Sequence, residues 1–283
     1  NTYTRETFKD WSSAVQLHRM DMINEIQLVD HFLKAIIDGQ NNIFAVWLEQ
    51  HNNVLSLMAA NYNTNTLSWD TPQTVIDANN TQGLQLDSLV SLSAIGEITS
   101  ANTHLALYQD SGTEKAIFTI DYLANNNTWQ TPKRRDTNKM LSSASFATDL
   151  AGYAIVVWVE KVVDDQILKT LRFSNNAWSQ IDTLTTGVTI EHLKLALNAN
   201  GEALATWIET DNKEIRILSS LQIPEKNWLK KELIKIYSTD SKLYAPVGAL
   251  HDNGIPWVVW NHKEISGVTS THLTTRLVSI HDS

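Results

Sequence analysis

Short apolar runs alternate with polar turns along the whole chain, and five of the runs end alike. They are Ile43-Phe-Ala-Val-Trp47-Leu-Glu49, His104-Leu-Ala-Leu-Tyr108-Gln-Asp110, Ala154-Ile-Val-Val-Trp158-Val-Glu160, Ala203-Leu-Ala-Thr-Trp207-Ile-Glu209 and Pro256-Trp-Val-Val-Trp260-Asn-His262. Each closes on an aromatic residue, and two positions later stands an acid or, once, a histidine. The aromatic recurs at spacings of 61, 50, 49 and 53 residues. Apolar runs this short, bounded by turn residues, predict buried β-strands.

A second Trp follows the first four aromatics: Trp69, Trp129, Trp178 and Trp228, at distances of 22, 21, 20 and 21 residues. Between the two aromatics lies a further strand-like run: Val54–Ala60, Ala116–Tyr122, Gln166–Phe173 and Glu214–Leu221. Another precedes the first aromatic, as in Ser88–Ile95 and Leu141–Ala147. Turns rich in Asn and Gly separate them, such as Asn125-Asn-Asn-Thr128 and Asp252-Asn-Gly254, and these residues tolerate the positive φ of tight hairpins.

Each unit therefore reads as four short strands. Repeats of that size and content predict an all-β, five-bladed β-propeller. The blades span about 34–78, 86–136, 140–185, 190–237 and 243–283 of a single domain. The last unit ends without its second Trp, while Trp11 stands at the other end with no unit before it. A closing strand over 10–17 would complete the fifth blade and remove two exposed edges. Six blades are the alternative, with a reduced blade in Arg19–Leu33, a stretch short for four strands.

Composition narrows the function. With 42% hydrophobic residues and 10 Trp in 283, the chain is not a disordered tail. It has no cysteine, hence no disulfide or thiolate metal site. The longest apolar run, Tyr153–Val159, falls well short of a spanning helix. A net charge of −9 disfavours nucleic acid as a partner. The one basic cluster, Lys133-Arg134-Arg135, reads as a solvated loop. The cysteine-free, Asn-rich composition suggests an exported bacterial protein: secreted, periplasmic or on the cell surface.

The pattern of an apolar run, Trp-x-Glu, a strand and then Trp69-Asp-Thr-Pro72 or Trp129-Gln-Thr-Pro132 resembles the repeats of sialidase-like and related bacterial exported β-propellers. The resemblance covers nearly the whole chain and implies fold. The Asp-box turns of sialidases are reduced here to Asn63-Thr-Asn-Thr-Leu-Ser-Trp69 and Ala124-Asn-Asn-Asn-Thr-Trp129, which keep only the final Trp. No arginine recurs at a shared repeat position to bind a sialic acid carboxylate.

The first set of Trp residues is expected to pack between neighbouring sheets, and the second set to be half-exposed. The recurring polar position, Glu49, Asp110, Glu160, Glu209 and His262, is expected at one rim, either as simply solvated strand ends or as a ligand-binding ring. Four residues entering the innermost strands, His31, Glu191, His192 and Tyr244, would open on the same mouth. Together they would make an acidic funnel that prefers neutral or cationic ligands. No ligand spacing suggests a metal, and no cofactor motif is visible. The expected function is non-enzymatic binding of a glycan or a protein. The alternative is a glycan-active enzyme, a hydrolase or lyase, for which Glu191 is the residue to mutate.

Overall fold

The computed structural model describes residues 27–37, 43–63, 66–96, 102–123, 125–136, 140–149, 152–175, 177–187, 189–224, 226–263 and 269–275. The proposed closing strand over 10–17, with Trp11, lies outside these residues, as does the stretch 19–26. Among the described residues there is no α-helix, only a single 3-10 turn at Leu86–Ser88. The strands form five antiparallel sheets in sequence order, an arrangement consistent with a propeller.

Each sheet is built around its second strand: Ile43–His51, Thr103–Asp110, Ala154–Val162, Ala203–Thr210 and Pro256–Lys263. In the first four these strands are buried on both faces. That explains the continuous apolar runs, because a strand covered on one side only would alternate. Neighbouring sheets provide the cover. Val46 and Leu57 of the first sheet pack with Leu105, Leu107 and Phe118 of the second. Tyr108 and Ile117 pack with Val156, Trp158 and Leu171 of the third. Ile155 and Val157 meet Ala205 and Trp207 of the fourth, whose Leu204 and Ile208 meet Val258 and Trp260 of the fifth. The first strands of successive sheets also lie beside one another from the first sheet to the fifth.

The fourth strand position is broken in two. In the first three sheets a two-residue piece carrying Trp69, Trp129 or Trp178 pairs with one end of the third strand, and a second piece pairs further along it. The second piece in the second sheet is Lys133–Arg134, so the basic cluster is not a solvated loop. Arg134 forks onto Asp136 at 2.8 Å and reaches Glu114 at 2.7 Å, while Arg135 lies over the Trp178 ring. In the fifth sheet the described residues supply no strand at the fourth position.

First strands carry an irregularity at a shared point, between Leu28 and Leu33, Leu89 and Ser91, Leu141 and Ser143, and Glu191 and Lys194. Bulges of this kind bend an edge strand and re-aim its side chains. At the seam between fourth and fifth sheets, Gly248 sits so close that a Cβ there would lie 2.9 Å from Leu204 Cδ2. Gly248→Ala is therefore expected to displace the Leu204 and Thr206 side chains from their packing and cost about 1–3 kcal/mol, measured as a lower urea midpoint with an unchanged slope.

Candidate functional site

The recurring acids are buried, not solvated. Glu160 is 1% exposed, Glu209 4% and Glu49 9%. Residues two apart on a strand share a face, so each carboxylate stands beside the Trp that precedes it. The indole Nε1 of Trp47 donates to Glu49 at 3.2 Å, that of Trp158 to Glu160 at 2.9 Å, and that of Trp207 to Glu209 at 3.1 Å. Two of these carboxylates also take a lysine, Lys169 on Glu160 and Lys231 on Glu209, both at 2.8 Å. A buried charge requires such partners.

In the second sheet the equivalence of the sequence reading shifts by one residue. The strand pairing matches Glu49↔Ser56, Glu160↔Ile167 and Glu209↔Arg216 with Gln109↔Ala116. Gln109, fully buried, therefore holds the acid position, and Leu107 holds the Trp position. Asp110 lies one residue on, in the hairpin, where it pairs with Lys115 at 2.8 Å and accepts from the Gly112 N–H. Burial and the Asp110 charge push the Tyr108 phenol up to about 12.

In the fifth sheet His262 is buried and stacks on Tyr237, with ring centroids 4.4 Å apart. The Trp260 indole donates to the Tyr237 hydroxyl at 2.8 Å instead of to a carboxylate. Glu191 and His192 are exposed at the bulge of the fourth sheet, with His192 at φ 55, beside the strand that carries Glu209. Tyr244 is 42% exposed, takes the Lys242 ammonium over its ring, and follows Leu243, which pairs with His262. His31 belongs to the first strand of the first sheet, and its side chain lies outside the described residues. The register sets Ile190 opposite Glu209 and Leu243 opposite His262, so Glu191 and Tyr244 are next to those positions but on the other face of their sheets.

A cleft that the sequence reading did not identify opens at the opposite ends of the strands, between the first and second sheets. Phe44, Ala59, Ala60, Asn61, Asp70, Thr71 and Gln73 come from the first sheet, and Tyr122, Asn127 and Trp129 from the second. Tyr122 and Trp129 face one another across paired strands with ring centroids 5.0 Å apart. The Tyr122 hydroxyl donates to Asn127 Oδ1 at 2.7 Å, and Gln73 Nε2 donates to the same oxygen at 2.9 Å, tying the two sheets together. Burial and the Asp70 charge raise the Tyr122 pKa, which keeps the phenol protonated. A sequence signal did exist: a Tyr seven residues before the second Trp occurs twice, as Tyr62–Trp69 and Tyr122–Trp129.

The cleft is a feature of the repeat. A second one, between the fourth and fifth sheets, is lined by Leu204, Ser219, Ser220, Leu221, Leu229, Lys230, Glu232 and Pro256. Counted from their two Trp residues, the first seven match Phe44, Ala59, Ala60, Asn61, Asp70, Thr71 and Gln73 one for one. Between the second and third sheets the same place is filled. His104 Nδ1 contacts Asp121 Oδ1 at 2.8 Å, Lys133 reaches that carboxylate at 3.2 Å, and the His104 ring lies against Phe173.

No family model matches the chain, and no curated protein matches it. Solved structures do. They include a polysaccharide lyase acting on ulvan (TM-score 0.47, 10% identity, 87% of this chain and 66% of that one). Others are a Hadza microbial sialidase (0.44, 6%, 86% and 55%) and an endo-arabinase from Bacteroides thetaiotaomicron (0.41, 11%, 88% and 94%). The chain thus spans little more than half the length of the sialidase. The likeness to sialidase-like proteins read from the repeat is one of fold alone.

Two outcomes follow from the buried groups. Glu160→Ala leaves the Trp158 indole and Lys169 without their shared carboxylate and is expected to cost about 3 kcal/mol. Glu160→Gln, which keeps an acceptor for the indole, is expected to cost less, both read from urea unfolding. Burial alone would raise the Asp121 carboxyl, but His104 and Lys133 outweigh it and hold the pKa below the ordinary value. A carboxyl that ionises more readily folded than unfolded stabilises the fold fully above about pH 3.9. That contribution fades as pH falls through the lowered value. Asp121→Asn is expected to flatten the fall of unfolding free energy in acid.

Proposed function

We propose that the chain is a closed five-bladed propeller of an exported protein and that it binds carbohydrate in the cleft between its first and second sheets. The blade count is supported by five sheets stacked in series, each on its own second strand. The fifth sheet has a vacant fourth position among the described residues, to which the strand around Trp11 is assigned. Export is supported by the cysteine-free composition.

The observation that carries the binding reading is the cleft lining. Sugars present an apolar C–H face and a belt of hydroxyls. Trp129, backed by Tyr122, supplies a broad aromatic surface for the first. Asn61, Thr71, Gln73 and Asn127 supply planar amides and a hydroxyl for the second. The cleft is shallow, with a volume of about 30 Å³, so a sugar would lie across its mouth on Trp129 and not inside it.

The second reading is a glycan-active enzyme. One observation favours it: a carboxylate, Asp70, and a phenol, Tyr122, line the same cleft, and both are groups used for proton transfer. Glycoside hydrolysis by the common route asks for two carboxylates flanking the scissile bond, and the cleft lining contributes one, Asp70. Binding therefore ranks first.

A glycan array followed by calorimetry tests both. Trp129→Ala is expected to weaken binding of any glycan recognised there by about tenfold or more, equivalent to about 1.4 kcal/mol, with the circular dichroism spectrum unchanged. Turnover of a glycoside or polysaccharide that disappears in Asp70→Asn would put the enzyme reading first.

A further inference from the structure

The repeat supplies its own controls for the chemistry of the cleft. At the place of Asp70 the other sheets carry Gln130, Ser179 and Leu229. At the place of Asn61 and Gln73 the second sheet carries Asp121 and Lys133, which neutralise one another at 3.2 Å. At the places of Thr71 and Gln73 the fourth sheet carries Lys230 and Glu232, again one charge of each sign. The first cleft alone, among the described clefts, holds a carboxylate and no cation in its lining.

Its other polar atoms include acceptors as well as amide donors. Asn61 Oδ1 is buried and has no hydrogen-bond partner within the protein. The Tyr122 hydroxyl donates its proton to Asn127, so towards a ligand it offers lone pairs. The Asp70 backbone N–H is already bound to the Asn61 carbonyl at 2.8 Å, which holds the carboxylate-bearing turn against the strand end. Asp70 is the one formal charge in the lining, and a ligand with a positive charge satisfies it better than a neutral hydroxyl does.

Resting on the carbohydrate reading above, we infer that the first interblade cleft selects a saccharide bearing a free, protonated amine, as in oligomers of glucosamine. The ammonium group offers three donors and a compact charge. It faces Asp70, while the sugar ring lies on Trp129. The aromatic faces of Trp129 and Tyr122 add cation–π attraction. N-acetylation removes the charge and adds bulk at the point of recognition. A uronic or sialic acid brings its carboxylate towards Asp70 with no lining cation to receive it. The net charge of −9 steers in the same direction.

Calorimetry on the full chain with four probes tests the inference: the tetrasaccharides of glucosamine, N-acetylglucosamine and glucose, and spermidine as an amine without a sugar. The glucosamine tetramer is expected to bind about five- to tenfold more tightly than the glucose tetramer at low salt. The advantage should shrink in 0.5 M NaCl, on the order of a Debye length of a few ångströms, and as pH rises enough to deprotonate the amine. Asp70→Asn is expected to bring the ratio of the two affinities to about one. Asp70 is exposed, and Asp70→Ser provides a second variant should the first not fold. The salt series on the unmodified chain needs no variant at all.

If the glucosamine and glucose tetramers bind equally, with Trp129→Ala weakening both, the amine preference is wrong and the carbohydrate reading stands. If spermidine binds as tightly as the glucosamine tetramer, the cleft reads amines and not sugars. If no tetrasaccharide on the array or in the calorimeter binds, the carbohydrate reading itself falls.

Discussion

An indole N–H and a carboxylate two residues apart on a doubly covered strand set the terms for the rest of the molecule. Each group is costly to bury alone, the carboxylate most of all, because an unmet donor or an uncompensated charge forfeits its hydration without return. Placed together they satisfy each other within one strand, so a strand covered on both faces can carry them without access to water. Trp47 with Glu49, Trp158 with Glu160 and Trp207 with Glu209 all do this. The exceptions follow the same logic. Where the Trp place is taken by Leu107, the acid place is taken by the neutral Gln109. Where the acid place is taken by His262, the Trp260 indole finds its acceptor in Tyr237, on which the histidine ring rests. Donor and acceptor change together because each is the reason the other can be buried.

This arrangement gives the two ends of the strands different freedom. At the end near Glu49, Glu160 and Glu209, polar side chains are engaged in holding Trp and Lys residues, so replacing one disturbs the packing between sheets. At the other end the same repeat places hold Phe44 with Asn61, His104 with Asp121, Ile155 with Arg172 and Leu204 with Leu221. Those pairs have nothing chemical in common. What they share is position, at the mouth of the gap between one sheet and the next. A place that is architecturally constant and chemically variable is where a repeat protein differentiates its copies, and the clefts lie there.

Much of the fold was legible in the sequence. The spacing from Trp158 to Trp178 and from Trp207 to Trp228 marked the units, and the continuous apolar runs marked strands covered on both sides. The second unit misled because Tyr108 and Asp110 mimic the Trp-x-Glu spelling one residue out of register. A count from the other end of the hairpin resolves it. Tyr62 lies fifteen residues after Trp47 and Phe173 fifteen after Trp158, and the same step back from Tyr122 ends on Leu107. Burial of the acids was not legible, since a charged residue next to a turn normally seeks water, and only the pairing with an indole across one strand face keeps it inside.

The cleft was hidden for a different reason. Its lining comes from three separate stretches of one sheet and two of the next, and no single stretch looks unusual: Ala59-Ala-Asn61, Asp70-Thr71 and Asn127-Thr-Trp129 each read as an ordinary strand end or hairpin. Only the pairing of Tyr62 with Trp69 and of Tyr122 with Trp129 hinted that an aromatic surface recurs where successive sheets meet. The half-burial of these second Trp residues follows from that place. Each closes the edge of its own sheet against the third strand and turns a face to the neighbouring gap. Between the first and second sheets, small residues at Ala59 and Ala60 keep the gap open in front of Trp129. Between the second and third, His104 and Phe173 fill it. At these two seams, and at that between the fourth and fifth sheets, the fold makes the same gap, and the side chains at a few non-repeating positions decide whether it is an open cleft or a packed joint.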